Sequence, residues 1–162
     1  MLGYGLGTMR SNIGVWALCI AAATAAAAAG GSPEDPCAAL HATTIDARDL
    51  KTLQYVENAH GQLEEWASRL YARLNNDMGP RARDPVLDGR ADLQVDKLRV
   101  TYAGYTHNDA LARVLRKLAV AEKRRLDTVR AMIETGPDDD AWSAVDAPVQ
   151  EIVAAIRNWS ER

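Results

Sequence analysis

The stretch that decides the fold is residues 109–134, DALARVLRKLAVAEKRRLDTVRAMIE. It contains no Gly or Pro, and its apolar residues recur at alternating four- and three-residue steps once two charged residues are counted in the same stripe. The apolar members are Leu111, Leu115, Leu118, Val129 and Met132, and the charged members are Glu122 and Arg125. This spacing predicts one long helix with a single apolar stripe, which other helices must cover.

Three further segments carry a helical pattern, and residues 44–76 carry the longest. Their stripe consists of Leu53, Val56, His60, Leu63, Ala67, Leu70 and Leu74. Met78-Gly79-Pro80 ends this helix, because Gly adopts the left-handed cap and Pro cannot continue the ladder. Residues 86–103 form the second helix, with Leu93 and Val100 on the face opposite its main stripe. Asn108 is the expected N-cap of the helix that follows.

The last segment, residues 140–160, contains a proline. Its stripe consists of Trp142, Val145, Val149, Ile152, Ile156 and Trp159. With Asp146 as the cap, Pro148 would lie in the first turn of a helix that ends near Ser160, where its missing N–H does no harm. Residues 140–144 would then form a separate or kinked turn.

Four amphipathic helices joined by short loops predict an all-α, up-down antiparallel four-helix bundle. No segment has the alternation of a strand. Because the first helix is much longer than the second, elongated helical hairpins or a dimer that shares helices are the alternative architecture.

The N-terminus has the pattern of an export signal. Arg10 is followed by a short apolar core and by an Ala-rich run to Ala29, which is typical of a cleavable secretory signal peptide over residues 1–29. Residues 30–43 are predicted to be a flexible leader and residues 44–162 a single bundle domain. The chain is therefore predicted to be periplasmic or extracellular, without a membrane span after cleavage. Retention of the segment as an anchor is the alternative.

Cleavage would leave Cys37 without an intrachain partner. In an oxidising compartment a lone thiol pairs between chains or stays buried, so a homodimer through Cys37 is one possibility. The other is an incidental thiol.

Composition and motifs exclude several classes of function. A net charge of −3 argues against nucleic-acid binding, which requires a basic surface. The sequence has no Cys/His cluster for zinc, no Gly-rich phosphate loop and no Gly-x-Ser-x-Gly elbow. We therefore predict no cofactor and favour a protein without catalytic activity.

One polar group is a candidate metal or ligand site. His60 lies in the stripe of the first helix, flanked on the same face by Glu57 and Glu64, and Glu57-x-x-His60 has the spacing that di-metal carboxylate bundles use. His60 and Glu122 lie near the middle of two helices that run parallel in an up-down bundle, so they can meet at one layer. A second Glu-x-x-His is missing. A buried His–Glu hydrogen bond and a partly exposed His are therefore the competing interpretations.

Glu122 and Arg125 interrupt the stripe of the central helix. A buried polar pair can specify register or oligomeric state. We favour the commoner arrangement, in which the stripe drifts to Ala121 and Leu126 and both charges reach solvent, because an ordinary helix repeats at 3.6 rather than 3.5 residues. The basic run from Lys123 to Arg125 is likewise predicted to lie on a solvated face.

Two hypotheses about function follow. The first is a non-catalytic exported protein that binds another macromolecule as an adaptor, inhibitor, immunity-type protein or chaperone, using Leu93, Val100 and exposed faces of Trp142 and Trp159. The alternative is a small metal- or ligand-binding bundle, which includes the possibility of an enzyme, with a site around Glu57, His60, Glu64 and Glu122.

Overall fold

A computed structural model of the chain describes Asp35–Arg162. Its helices are α1 (Pro36–His41), α2 (Ala47–Asn75), α3 (Pro85–Asp96), α4 (Ala103–Tyr105), α5 (Asp109–Thr135) and α6 (Asp139–Ser160). A 3₁₀ turn, Gly79–Ala82, precedes α3, and a π-helical segment, Lys97–Tyr102, connects α3 to α4 without a break. The predicted signal peptide and residues 30–34 of the predicted leader lie outside the described residues.

The described part of the chain is an all-α helical bundle, as predicted, and no strand occurs between residues 35 and 162. α5 lies at its centre and packs against α1, α2, α3 and α6. Leu111, Leu115, Leu118 and Val129 of α5 are all fully buried, so the predicted stripe forms the middle of the core. No helix within this part of the chain combines the length and apolar composition that crossing a membrane requires.

The start of α2 is fixed by a capping box. The Asp46 carboxylate accepts a hydrogen bond from the Asp49 backbone N–H at 2.7 Å, and the Asp49 carboxylate accepts one from the Asp46 N–H at 3.3 Å. Asp49 is also buried and accepts a hydrogen bond from the Thr106 hydroxyl at 2.7 Å. The first turn of α2 is thereby tied to the connection between α4 and α5. Asn108 caps α5 as predicted, with its side chain accepting from the N–H groups of Ala110 and Leu111.

Residues 36–41, within the predicted leader, form a helix instead of a loop. The Asp35 side chain caps α1, and Pro36 occupies its first position, where a missing N–H is harmless. Leu40 is fully buried, and α1 packs against α5 and α6. The Trp159 indole N–H donates a hydrogen bond to the Thr43 carbonyl at 3.1 Å. Burial of Leu40 explains why this short helix is held in place.

The π-helical segment, Lys97–Tyr102, is a feature that the sequence pattern did not predict. Leu98 and Ala103 are both buried although they lie five positions apart. In a regular α-helix, side chains five positions apart point about 140° away from each other. A π turn, which is closed by a hydrogen bond between residues five positions apart, brings them nearer to the same side. The wider turn therefore directs both residues into the core. It also allows Tyr102 to stack on Tyr55 with ring centroids 5.7 Å apart.

The prediction of a separate turn before Pro148 is wrong, because α6 runs unbroken from Asp139 to Ser160 with Pro148 inside it. Pro148 removes the N–H that would bond to the Ala144 carbonyl. Both residues lie on the exposed side of the helix, where water can satisfy that carbonyl. Val145 and Val149, on the other side, are buried and hold the helix against α5.

Candidate functional site

The most unusual feature of the core is a group of charged side chains centred on Arg125. Its Nη2 atom donates a hydrogen bond to Glu122 Oε2 at 2.8 Å, and Nη1 donates to Glu64 Oε2 at 2.5 Å and to Asp146 Oδ1 at 2.7 Å. Glu122 Oε1 lies 2.7 Å from His60 Nδ1. We call these five residues the Arg125 network. It connects α2, α5 and α6 through hydrogen bonds among one guanidinium, three carboxylates and an imidazole.

The prediction that Glu122 and Arg125 reach solvent is wrong, because neither side chain is exposed at all. Leu126 is buried as that prediction expects, but Glu122 and Arg125 are buried as well, because α2 and α6 cover α5 on both flanks around Arg125. Glu64 and Asp146 approach from those flanks and give the guanidinium two further carboxylates. A buried charge is tolerated only when it is paired and hydrogen-bonded, and here the pairing comes from three helices.

The protonation of Arg125 follows from these contacts. Burial acts to lower the pKa of Arg125, but the charge of Glu122 and the hydrogen bonds from Arg125 to Glu64 and Asp146 outweigh it and raise the pKa. The guanidinium is therefore a permanent cation in the core. Its Nε atom is buried without a hydrogen-bond partner among the described residues, which leaves one donor of the network unsatisfied.

The structure brings together only some of the four candidate metal ligands. His60 contacts Glu122 directly, and Glu64 is linked to Glu122 only through Arg125. The Glu57 carboxylate is 68% exposed and lies 3.6 Å from Arg157. Within residues 35–162, no three His, Cys, Asp or Glu side chains gather in a group that would hold a metal ion. The guanidinium occupies the position between the carboxylates that a cation would need.

His60 is a buried hydrogen-bonding residue and also lines a groove. It is 6% exposed and borders a groove of about 290 Å³ between α2 and α6. The α2–α6 groove has mostly apolar walls, formed by Leu50, Leu53, Val56, Val153 and Ile156, with Gln54, Glu57, Arg157 and Ser160 as its other polar members. None of the described residues hydrogen-bonds to His60 Nε2. The imidazole is thus fixed on one side and free on the other.

The predicted partner-binding residues Leu93 and Val100 lie on the surface, 53% and 63% exposed. Val86, one heptad before Leu93, is also 63% exposed. We call these three residues the apolar strip. Trp159, in contrast, is 1% exposed, so the expectation that it offers an exposed face is wrong. Trp142 is half-buried and stacks on Tyr71 with ring centroids 4.8 Å apart.

Two polar residues of α6 that lie around Arg125 and Glu64 were missed by the sequence reasoning. Asp146 was interpreted as a helix cap because Pro148 follows it, whereas it lies inside α6 and binds Arg125. Gln150, one turn later, donates to Glu64 at 3.2 Å. Asp146 and Gln150 lie four residues apart, on one side of α6 next to its apolar stripe, and that spacing was the signal that could have placed them together.

The basic residues of α5 are mostly paired with acidic residues of the same bundle. Lys123 contacts Asp127 at 2.6 Å and Asp92 at 3.6 Å, and Arg130 contacts Asp92 at 3.0 Å. These pairs compete with any external anion for the same cations. Comparison with protein-family models, with curated proteins and with solved structures finds no match for this chain.

Proposed function

We propose that this chain is an exported helical protein that binds a protein partner and has no catalytic activity of its own. The observation that carries the proposal is the apolar strip, Val86, Leu93 and Val100, on the outer side of the helix that α3 and the π-helical segment form. Single exposed apolar residues are common on proteins, but three of them exposed along one helical segment offer a surface on which another chain can dock.

The backbone along the strip is open to close approach. Gly89 and Gly104 lie on the exposed side of the same helical segment, and a Cβ atom added to either would meet no other atom within 4 Å. A partner can therefore come close to the main chain beside Leu93 and Val100. The π-helical segment lies under this surface, and π turns occur frequently at functional sites.

Charges of both signs lie beside the strip. Arg90, Lys97 and Arg99 are matched in number by Asp88, Asp92 and Asp96 of the same helical segment. Asp96 pairs with Arg99 at 2.8 Å, and Asp92, next to Leu93, has a side chain that is 49% exposed. A partner with an apolar ridge bordered by side chains of both signs is therefore complementary to this surface.

The test is quantitative capture of partners from the compartment of the producing cell. The bait is the chain without its signal peptide, compared with a Leu93→Asp/Val100→Asp variant and with a Val120→Asp control. Val120 is 67% exposed on α5 and does not belong to the strip. We expect one protein to be enriched by the parent and the control and lost with the double variant, and then to bind the purified parent directly. Equal capture by all three baits would refute the proposal.

A second copy of this chain is a separate outcome of the same experiment. Sedimentation of the parent and of the double variant would distinguish it: a dimer that dissociates when Leu93 and Val100 are replaced would make the strip a self-association surface. A dimer that dissociates only on reduction would instead assign the contact to Cys37.

The alternative function, a small ligand-binding bundle, is favoured by one observation alone. His60 borders the α2–α6 groove with one imidazole nitrogen free of protein contacts. A molecule seated in that groove would meet a single oriented polar group in apolar surroundings, which is the usual composition of a ligand site.

A further inference from the structure

The α2–α6 groove has the size and lining of a site for a small molecule. Its volume of about 290 Å³ lies near the lower end of ligand pockets, which are typically about 300–1,000 Å³. The apolar walls come from both helices, and the two rim charges, Glu57 and Arg157, lie 3.6 Å apart and offset one another. His60 is the buried polar residue that this groove offers to a ligand.

The direction of the hydrogen bond between His60 and Glu122 determines what His60 presents to the groove. Glu122 also accepts a hydrogen bond from Arg125, which remains a cation, so its carboxylate is the acceptor on both sides. His60 Nδ1 must therefore carry the hydrogen and donate it to Glu122. In the neutral imidazole the remaining nitrogen, Nε2, is then an acceptor, and it requires a donor from any ligand.

The charge behind His60 indicates which donor fits best. The Arg125 network contains three carboxylates, those of Glu64, Glu122 and Asp146, but only one guanidinium. The network is therefore net negative when His60 is neutral. A cationic head group next to His60 is attracted by this excess charge, and an anionic one is repelled.

We propose that the α2–α6 groove binds a small primary amine with a short apolar body, whose ammonium group donates a hydrogen bond to His60 Nε2. The apolar body lies between the Leu53 and Val56 side and the Val153 and Ile156 side of the groove. This site is independent of the apolar strip, so either proposal can fail without the other.

The experiment is an NMR titration of the chain without its signal peptide, using 2-phenylethylamine as the probe. Two matched molecules, 2-phenylethanol and 3-phenylpropanoate, keep the ring and change the head group. We expect saturable shifts at groove residues and at the His60 imidazole nitrogens, with a dissociation constant for the amine of about 1 mM or lower. The alcohol should bind several-fold more weakly and the carboxylate at least about tenfold more weakly. Equal or tighter binding of the carboxylate would overturn the charge argument.

Two sets of variants locate the site. His60→Phe removes the acceptor and should weaken amine binding about tenfold while the helical circular dichroism is retained. Leu50 lines the groove and is 49% exposed, so charges placed there should not disturb the core. Leu50→Glu should strengthen and Leu50→Lys weaken amine binding by about two- to fivefold at low salt.

The matched controls are Val120→Glu and Val120→Lys, on an exposed position outside the groove, and neither should change the affinity. The Leu50 pair keeps the test decisive even when His60→Phe does not fold. No saturable shift with the amine, or an affinity that ignores both the His60 and Leu50 changes, would overturn the proposal.

Discussion

Replacing Arg125 by Met is the most informative perturbation of this fold. The change removes the cation but keeps an unbranched side chain of similar length. Glu122, with no exposed surface, would keep only His60 as a partner, and breaking a buried ion pair in this way costs about 3–5 kcal/mol. The Glu64 and Asp146 side chains are 38% and 26% exposed, so water replaces their lost contacts and they add little. We therefore expect Arg125→Met to lower the free energy of unfolding by about 3–4 kcal/mol.

That loss is a large part of the about 5–15 kcal/mol that stabilises a typical domain. It should lower the melting temperature by about 10–15 °C for a domain of this size. Urea denaturation followed by circular dichroism measures it. The control is Arg69→Met, because Arg69 pairs with Glu65 on the surface of α2 and is 65% exposed, so the change should be within about 0.5 kcal/mol.

A second replacement separates burial of charge from simple loss of packing. Glu122→Leu combined with Arg125→Met removes both charges, and replacing a buried pair with apolar residues is often neutral. We expect the double variant to regain at least half of the stability that Arg125→Met loses. The reasoning would be refuted by an Arg125→Met variant within about 1 kcal/mol of the Arg69→Met control, or by additive losses in the double variant.

Three further expectations concern other parts of the bundle. The pKa of Asp92 lies below its ordinary value. Partial burial acts to raise this pKa, but the hydrogen bond and charge of Arg130, together with Lys123, outweigh that effect. The stabilisation from Asp92 is therefore present above about pH 4 and is lost as the pH falls further. In urea titrations, Asp92→Asn should lower the free energy of unfolding by about 0.5 kcal/mol at pH 7 and should have no effect by about pH 2. Leu40→Ala should lower the free energy of unfolding by about 2–4 kcal/mol in the same assay, because Leu40 of α1 is fully buried. Burial raises the pKa of Cys37, so its thiol should react with a disulfide reagent more slowly than a free thiol at pH 8 and accelerate as the pH rises.

The main elements of the fold could be predicted because periodic spacing is a local property. The stripe from Leu111 to Met132 is visible in the sequence and is buried as expected. Asn108 was recognisable as a cap because its side chain acts on the next two residues. The position of each residue in its helix allowed His60 to meet Glu122, as it does, although we favoured a Glu122 that reaches solvent.

The burial of Arg125 could not be predicted, because it depends on residues from two other helices. Asp146 supplies one of its partners only when α6 begins at Asp139, and the presence of Pro148 suggested a later start. The π-helical segment, Lys97–Tyr102, was also hidden, since an extra residue in a turn is selected by packing on both sides of it. α1 was missed although Asp35-Pro36 is a local start signal, because six residues rarely form a stable helix alone.

The Arg125 network has a consequence for the order of folding. Glu64 precedes Arg125 in the chain and Asp146 follows it, so α2 and α5 can associate with only part of the charge on the guanidinium satisfied. α6 supplies the remaining acceptor, Asp146, so the network is complete only once α6 has docked against α5.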